Sequence, residues 1–356
     1  MATQRTPELP AEKPRTWITQ RDIDIQALKA ELKRSIEGEV RFDDGSRAMY
    51  STDASNYRQV PIGVVVPKTT DDVVETVAAC HKFGAPVLSR GGGTSLAGQC
   101  CNVAVVMDHS KYLNNILEIN PHEKYARVQP GTVCDEVVDS TKKYKLTYAP
   151  DPATHDHCCF GGMLGNNSCG AHAQINGAAS NNTEAMDVLL YDGTRMSLGW
   201  MTEEEWERKL RAGGREGEIY AKLKSLRQRY QPLIEKNYPR IPRRISGYNL
   251  DQLIPNEEGK INLARALVGS EGTCVTILEA TVTLVYSHPE RVIVMLGYPD
   301  IFQAADHIMD ILEYKPIALE GIDDRLVGFI KKKGGPHRKY LPMLPEGNGW
   351  LLVEFG

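Results

Sequence analysis

Residues 88–99, "LSRGGGTSLAGQ", place three consecutive glycines after an arginine and follow them with two hydroxyl residues. Two short apolar runs, "APVLS" before the glycines and "VAVVM" at 103–107, are typical of strands, so the loop that joins them must be compact. A compact glycine loop can turn successive backbone N–H groups into one concavity, which suits an anion. A tight turn or a flexible connection is the alternative interpretation.

Two common phosphate-binding motifs do not fit this stretch. A Walker loop requires Gly-Lys-Ser/Thr, and no lysine follows Gly93. A Rossmann fingerprint requires a third glycine where Leu96 stands, at the beginning of a helix. The loop therefore indicates another kind of nucleotide site.

The residues before the loop predict a strand, a helix and a second strand. "IGVVV" at 62–66 is a β-branched run, and "TTDDVVETVAACHKFG" has an apolar helical face. Oxygens of Thr69, Thr70 or Asp72 can cap this helix, and Gly84 can end it. Such units usually place their two strands as parallel neighbours.

A second series of elements follows residue 120. "EKYARVQ" predicts a strand and "VCDEVVDSTKKY" a helix with Thr132 as its N-cap, after which "LTYAPDP" is extended. The glycine- and asparagine-rich residues 161–182 are predicted to form an irregular loop. "MDVLLYDGTRMSL" indicates a hairpin turning at Asp192–Gly193.

The rest of the chain, from residue 202, mixes helices and strands. Residues 202–236 are charged and helical in pattern, and 273–286 alternate as a long strand should. From residue 291 the pattern predicts another α+β unit. The sequence ends in "LLVEFG", an apolar run that we expect to lie at an unpaired strand edge.

A second glycine cluster, "GGMLGNNSCGAH" at 161–172, has more permissive backbone positions than an ordinary connection needs. Asn166, Asn167 and Ser168 add dense hydrogen-bonding capacity. Two such loops in one chain indicate a long, jointed ligand.

Composition excludes several classes of protein. The 356 residues are 41% hydrophobic and 25% charged with a formal charge of -4, which gives no basic field for nucleic acid. No apolar run approaches the ~18 residues of a membrane span. The beginning, "MATQRTPELPAEKPRTW", predicts a loose arm without a signal peptide. We expect a cytoplasmic protein, with peripheral attachment to the inner membrane as an alternative.

The cysteines do not suggest a metal site. None of them has the C-x-x-C spacing of zinc or iron–sulfur ligands, so we expect reduced, mostly buried thiols and no metal. The eight are Cys80, Cys100, Cys101, Cys134, Cys158, Cys159, Cys169 and Cys274.

Seven motifs in order make a family resemblance specific: "VVVPKTTDDVV", "RGGGTSLAGQ", "VQPGT", "PDPAT", "GGMLGNNSCG", "DG" and "GSEGT". Together they resemble the FAD-binding domain of flavin-linked oxidases and dehydrogenases related to p-cresol methylhydroxylase and vanillyl-alcohol oxidase. The chain is most similar to the branch of glycolate oxidase, D-lactate dehydrogenase and D-2-hydroxyglutarate dehydrogenase. The wording around "ATHDHCCFGGMLGNNSCGAH" resembles bacterial proteins in which this domain is fused to an iron–sulfur region.

The resemblance implies an α+β fold of PCMH type, with two α/β subdomains that bind FAD. It places an N-terminal arm and helical lead-in at 1–55, the FAD-binding domain at 56–288, and the beginning of an incomplete α+β substrate cap at 289–356. It extends from about Tyr50 to Leu284 and continues more weakly to the end.

The resemblance also assigns cofactor contacts. The first glycine loop would surround the FAD pyrophosphate, and the next two motifs would line the adenosine and ribityl path toward the isoalloxazine ring. The segment from Gly269 to Thr273, followed by Ile277, would close over the cofactor. The residues implied are Arg90, Gly91, Gly92, Gly93, Thr94, Ser95, Gly98, Gln99, Pro150, Asp151, Gly161, Gly162, Gly165, Asn166, Ser168, Gly272 and Ile277.

Two departures from the family pattern qualify this assignment. Members that tether flavin through histidine carry that histidine in the first glycine loop, where this chain has Thr94, so we expect noncovalent FAD. The family's "GTLGIITEAT" is "GTCVTILEAT" here, with Val275 in place of a glycine, which weakens any backbone contact with the flavin at that point.

Other polar residues have ordinary structural interpretations beside functional ones. His155, His157 and His172 lack an ordered ligand spacing, which favours loop histidines over a metal site. Arg243 and Arg244 could bind a substrate carboxylate, for which guanidinium geometry is suited, or lie in solvent. Asp53 and Ser55 match the family pattern, but we interpret them as packing and capping residues.

In relatives of this branch, FAD takes a hydride from the α-carbon of a 2-hydroxy acid such as glycolate, D-lactate or D-2-hydroxyglutarate. The resemblance thus implies a hydroxy acid substrate and an electron acceptor or an iron–sulfur partner segment. The family's late "GDGN-x-H" motif is not in this sequence, so we expect slow turnover by the chain alone. One alternative is a truncated or split-enzyme FAD-binding module without catalytic activity of its own. Another is a UDP-N-acetylenolpyruvylglucosamine reductase, which the "GNNSCGAH" and "GSEGT" motifs disfavour.

Overall fold

The computed structural model describes residues 22–241 and 243–356, apart from the side chain of His337. The predicted N-terminal arm at 1–17 lies outside these residues. The strands are β1 Glu39–Arg41, β2 Gly63–Val66, β3 Val87–Arg90, β4 Val105–Asp108, β5 Ile116–Asn120, β6 Tyr125–Val128, β7 Leu146–Tyr148, β8 Thr183–Leu189, β9 Arg195–Leu198, β10 Trp200–Thr202, β11 Lys260–Asn262, β12 Thr276–Tyr286, β13 Val292–Tyr298, β14 Ala318–Asp323 and β15 Gly349–Phe355.

Helices lie between most of these strands. They are α1 Ile25–Ser35, α2 Asp44–Met49, α3 Thr70–Phe83, α4 Cys134–Thr141, α5 Phe160–Asn166, α6 Ala173–Asn176, α7 Glu203–Ala212, α8 Gly214–Asn237, α9 Leu263–Leu267, α10 Ile301–Asp306, α11 Ile308–Leu312 and α12 Asp324–Lys333. Among the residues described, no helix has both the length and the apolar character needed to cross a bilayer.

The first sheet has the strand order β1-β2-β4-β3, in which β2, β4 and β3 are parallel. The helix α3 forms as the sequence predicts: the Thr69 hydroxyl accepts from the Asp72 N–H at 3.1 Å, and Gly84 ends the helix in the left-handed region. The expectation that β2 and β3 are neighbours was wrong, because β4 lies between them. All four residues of β4 are buried, which places this strand in the interior of the sheet.

The second sheet is built around β12. Its order is β5-β6-β12-β8-β9, and β7 pairs with the far end of β12. Alternate residues of β12 are buried, from Leu278 to Leu284, as the pattern at 273–286 predicted. The predicted hairpin is also present, formed by β8 and β9 around Gly193 at φ +88°.

Two local predictions were wrong. Thr132 does not cap α4: its hydroxyl donates to the carbonyl of Asn115 at 3.2 Å, the N-cap is Val133, and the Glu136 carboxylate accepts from the Val133 N–H at 3.1 Å. Residues 161–182 are not one irregular loop, because they contain most of α5, all of α6 and a 3₁₀ turn.

The third sheet has the order β13-β15-β14 and is antiparallel. The last strand, β15, is paired on both sides, so the expectation of an unpaired edge at "LLVEFG" was wrong. Its buried residues Leu351 and Val353 pack with Ala304 of α10, which gives this sheet its own small core. The domain boundaries near 55 and 288 stay a prediction.

Leu189 and Leu278 connect the first two sheets. Both residues belong to strands of the second sheet, but they pack in the core that contains α3 and β4. The side chain of Leu189 is 1% exposed. The relative placement of the two sheets therefore depends in part on these two leucines.

We predict that Leu189→Ala lowers the free energy of unfolding by about 2–5 kcal/mol, through lost burial and the cavity that remains. Leu233→Ala is the matched control, since Leu233 lies on a helix and is 51% exposed, and we expect a change within about 0.5 kcal/mol. Denaturant unfolding of both variants measures this. Equal losses would show that Leu189 does not join the sheets.

Candidate functional site

A cleft of about 750 Å³ opens beyond the carboxyl ends of β3 and β4. In open sheets with parallel strands, ligands usually bind at this edge. Its lining consists of Leu88, Ser89, Arg90, Gly91, Ser95, Gln99, Cys100, His109, Pro130, Gly161, Gly162, Gly165, Ser270, Glu271, Gly272, Val275 and Ile277. The cleft thus gathers parts of both glycine clusters and of the "GSEGT" segment.

The first glycine loop packs directly on the residues before the second cluster. A Cβ atom added to Gly91 would lie 2.7 Å from Cβ of Cys159, and one added to Gly92 would lie 2.2 Å from the carbonyl oxygen of His157. No side chain fits at either position. The glycines therefore let two backbone segments approach each other and form one wall of the cleft.

Arg90 is held at the cleft by its neighbours. Its Nη1 donates to the carbonyl of Cys100 at 3.1 Å, and its guanidinium lies 5.3 Å from the ring of Tyr50. The Tyr50 hydroxyl in turn donates to the Asp108 carboxylate at 2.5 Å. Gly93, at φ +65°, passes so close that an added Cβ would lie 2.6 Å from Nη2 of Arg90. A fixed cation in the cleft favours an anionic ligand.

A second wall comes from α5. The Gly161 N–H donates to the carbonyl of Pro130 at 2.8 Å, which ties this helix to the "VQPGT" turn. A Cβ at Gly162 would meet no atom of the described residues within 4 Å, and one at Gly165 only the Glu271 Cα at 3.8 Å. Because both glycines line the cleft, their missing side chains leave room for a ligand against the helix backbone.

The third wall is the segment 270–277. The N–H of Gly269 donates to Leu164 O at 2.9 Å and that of Glu271 to Gly165 O at 3.0 Å, so this segment follows α5. The Glu271 carboxylate faces the cleft, where burial raises its pKa and the Gln99 amide donates to it at 3.5 Å. Val275 also lines the cleft, where the family pattern has a glycine.

The structure brings together nine of the predicted cofactor residues in this lining: Arg90, Gly91, Ser95, Gln99, Gly161, Gly162, Gly165, Gly272 and Ile277. The others lie outside the lining: Gly92, Gly93, Thr94, Gly98, Pro150, Asp151, Asn166 and Ser168. Gly92 and Gly93 do not line the cleft, but their close contacts with His157 and Arg90 determine the path of the loop. Gly98, at φ +84°, turns the loop beside the ring of Tyr57.

Pro150 and Asp151 line a second cleft of about 1020 Å³, together with His155, His172 and Arg291. Asp151 accepts from His172 Nδ1 at 2.5 Å and raises the pKa of that histidine. His172 Nε2 also lies 3.4 Å from Glu354 of β15. The second cleft therefore lies where the third sheet meets the second glycine cluster.

Arg243 and Arg244 have different surroundings. Arg244 pairs with Asp251 at 2.5 Å and stacks on Tyr238 at 4.6 Å. Arg243 is more exposed, contacts Cys169 Sγ at 3.4 Å and lies 4.0 Å from the Glu320 carboxylate. The guanidinium of Arg243 therefore has weaker contacts with the rest of the protein than that of Arg244.

Sequence reasoning did not single out several lining residues as contacts. Pro130 lies inside the recognised "VQPGT" motif, so a signal was present there, whereas Ser270 and Glu271 belong to the segment 269–273 that the resemblance had placed over the cofactor. His109 follows β4 and belongs to no motif. Within the described part of the chain, no group of three or more histidine, cysteine or acidic side chains could hold a metal ion, and the cysteines are free, with five of the eight buried.

Comparisons with known proteins agree with this geometry. Residues 61–199 match the family model described as FAD binding domain. The chain is 30% identical to a D-2-hydroxyglutarate dehydrogenase of Pseudomonas putida, over 92% of this chain and 33% of that protein. It is 26% identical to the glycolate oxidase protein GlcD of Bacillus subtilis, over 88% of this chain and 58% of that protein. The chain thus spans about a third of the length of the dehydrogenase.

The fold is also shared with a solved alkyldihydroxyacetonephosphate synthase, at TM-score 0.64 and 16% identity, over 98% of this chain and 59% of that one. The predicted α+β fold with a PCMH-type FAD-binding domain is confirmed. The predicted cofactor, FAD, is confirmed as well. The cleft fits it, because open glycine faces and a fixed arginine suit a long ligand with a charged centre.

We predict that Gly93→Val weakens FAD binding at least tenfold, or about 1.4 kcal/mol. A β-branched side chain at φ +65° is strained and would displace Arg90. Gly193→Val is the control: φ there is +88°, but the residue lies in the β8–β9 turn, away from the cleft. Fluorescence titration measures the FAD affinity of both variants. Unchanged affinity of Gly93→Val would show that the first glycine loop is not part of the FAD site.

We also predict that the FAD is bound without a covalent link. The position of the family's tethering histidine is Thr94, whose hydroxyl does not form such a bond readily at neutral pH. Acid precipitation of the loaded protein should leave the yellow colour in the supernatant. A yellow pellet would contradict this, and peptide mapping would then test Cys100 and His109, which line the cleft.

Proposed function

We propose that this chain, whose residues 61–199 match the family model described as FAD binding domain, takes part in the FAD-dependent oxidation of a 2-hydroxy acid to a 2-oxo acid. The substrate class is that of glycolate, D-lactate and D-2-hydroxyglutarate. Relatives named for these substrates support the class.

The observation that carries the proposal is the cleft beyond β3 and β4. It combines a fixed cation, Arg90, with the glycine-lined faces of the first loop and α5. Such a surface allows close backbone approach to a large cofactor, which a side chain at Gly162 would prevent. We infer that the pyrophosphate lies beside Arg90 and Gly91.

Bound FAD would accept the hydride, which carries both electrons of the oxidation. The protein's part is to hold the cofactor, to position the substrate and to assist loss of the hydroxyl proton. We propose that Ser95 and Gln99 donate hydrogen bonds to the cofactor from the first loop. We also propose that Pro150 and Asp151, which line the second cleft, contact the part of the cofactor that extends toward that cleft.

For the substrate carboxylate we propose Arg243. Its weak contacts with Cys169 and Glu320 leave guanidinium donors available, whereas Arg244 is held by Asp251 and Tyr238. A charge-assisted, two-point hydrogen bond to a carboxylate would be stronger than the contacts that Arg243 now makes. Arg243 also lies beside Cys169, which belongs to the second glycine cluster.

Electrons must leave the reduced flavin after each turnover. We propose an electron acceptor for this step, either a separate protein or an iron–sulfur segment joined to this domain. The sequence similarity to fused proteins around residues 153–172 supports the second form. The cytoplasmic location stays a prediction.

We predict that glycolate, D-lactate or D-2-hydroxyglutarate reduces the bound flavin when mixed anaerobically with the loaded protein. Arg243→Gln should raise the acid concentration for half-maximal reduction rate at least tenfold, because it removes the carboxylate's charge partner. FAD affinity should not change. Stopped-flow absorbance of the flavin measures both quantities.

The control variant is Arg240→Gln, which removes an exposed arginine three positions earlier in the chain. It should behave as the unsubstituted protein does. Flavin that none of the three acids reduces would favour a noncatalytic FAD module. If the acids reduce the flavin but Arg243→Gln has no effect, the hydroxy acid proposal stands and the role of Arg243 is wrong.

A further inference from the structure

His109 is the first residue after β4 and lines the cleft. Only 3% of it is exposed, yet neither ring nitrogen has a hydrogen-bond partner among the described residues. Buried polar groups in folded proteins are nearly always paired. An imidazole with both nitrogens unpaired at a ligand cleft is therefore a position where a bound molecule would supply the missing partner.

The backbone of His109 cannot withdraw from this position. Its N–H donates to the carbonyl of Arg90 at 3.0 Å, and its carbonyl accepts from Leu113 at 3.2 Å. A Cβ atom on Gly131 would lie 2.1 Å from that same carbonyl oxygen, so the "VQPGT" turn is packed tightly against it. The side chain is thus fixed next to the beginning of the first glycine loop.

The ring is uncharged at neutral pH. Burial lowers the pKa of His109 to about 4, despite the opposing effect of the neighbouring Asp108 carboxylate. A neutral imidazole has one N–H donor and one acceptor nitrogen. It can therefore donate to a phosphate or carbonyl oxygen of a cofactor without placing a second buried cation beside Arg90.

We propose that His109 binds the FAD directly, through a hydrogen bond from its ring. The proposal rests on FAD occupying this cleft. It adds to the glycine loops a side-chain contact that no motif indicates. Packing alone does not explain the residue well, because an apolar side chain of similar size would fill the same space without an unpaired polar group.

The test uses three variants and two measurements, FAD affinity by fluorescence titration and the thermal midpoint of the FAD-free protein. His109→Leu removes the hydrogen bond at similar volume, and His109→Gln retains a side-chain donor. Tyr220→Phe is the control, since its buried hydroxyl also lacks a partner in the described structure, but it lies on α8 against Trp206.

We expect His109→Leu to weaken FAD binding about tenfold or more, while the midpoint of the FAD-free protein stays the same or rises. His109→Gln should bind FAD more tightly than His109→Leu does, and Tyr220→Phe should bind it as the unsubstituted protein does. A purely structural histidine would give the opposite pattern, with a lower midpoint and unchanged affinity.

Three results would overturn the proposal: FAD affinity of His109→Leu equal to that of the unsubstituted protein, equal losses for His109→Leu and His109→Gln, or a loss that only accompanies a lower midpoint. Failure of the unsubstituted protein to bind FAD would instead reject the cofactor site itself. The two failures are thus distinguishable.

Discussion

The close contact between the first glycine loop and residues 157–159 is the constraint on which the cleft depends. Gly91 and Gly92 lie against Cys159 and His157 at distances that exclude any Cβ atom. Because the loop continues β3 and Cys159 precedes α5, this contact joins the first sheet to the helix that lines the opposite side of the cleft. Side chains at these glycines would separate the two walls and widen the site.

The second sheet also holds the walls of the cleft in position. Strand β12 pairs with β6, β7 and β8, so it holds the elements on both sides of α5 in one register. Its first two residues, Thr276 and Ile277, are the end of the segment 270–277 that forms the third wall. Leu189 and Leu278 then attach this sheet to the core around α3. The cleft is thus formed where two separately packed sheets meet.

Local sequence patterns predicted individual helices and strands more successfully than they predicted which strands pair with each other. The helix α3, the β8–β9 hairpin and the long strand β12 follow from capping residues, from Asp192–Gly193 and from alternation, all of which act within a few residues. Strand order depends on burial across the whole fold, so the central positions of β4 and β15 were missed. Helix α5 was missed because its glycines are poor helix formers. In the fold, the Gly161 N–H donates to Pro130 O and the Gly165 carbonyl accepts from the Glu271 N–H, which holds the helix in place. His109 carries no local signal, since only the folded cleft shows that its ring is buried without a partner.

The polar contacts of the third sheet connect it to the cofactor side of the molecule. His172 lies between Asp151 of the second cleft and Glu354 of β15, and Arg291 also reaches Glu354, at 3.2 Å. Arg243 similarly lies between Cys169 and Glu320 of β14. Both bridges begin in residues 168–172, immediately after the glycines of α5. The third sheet is therefore attached to the residues that follow α5, so a displacement of residues 168–172 would also move β14 and β15.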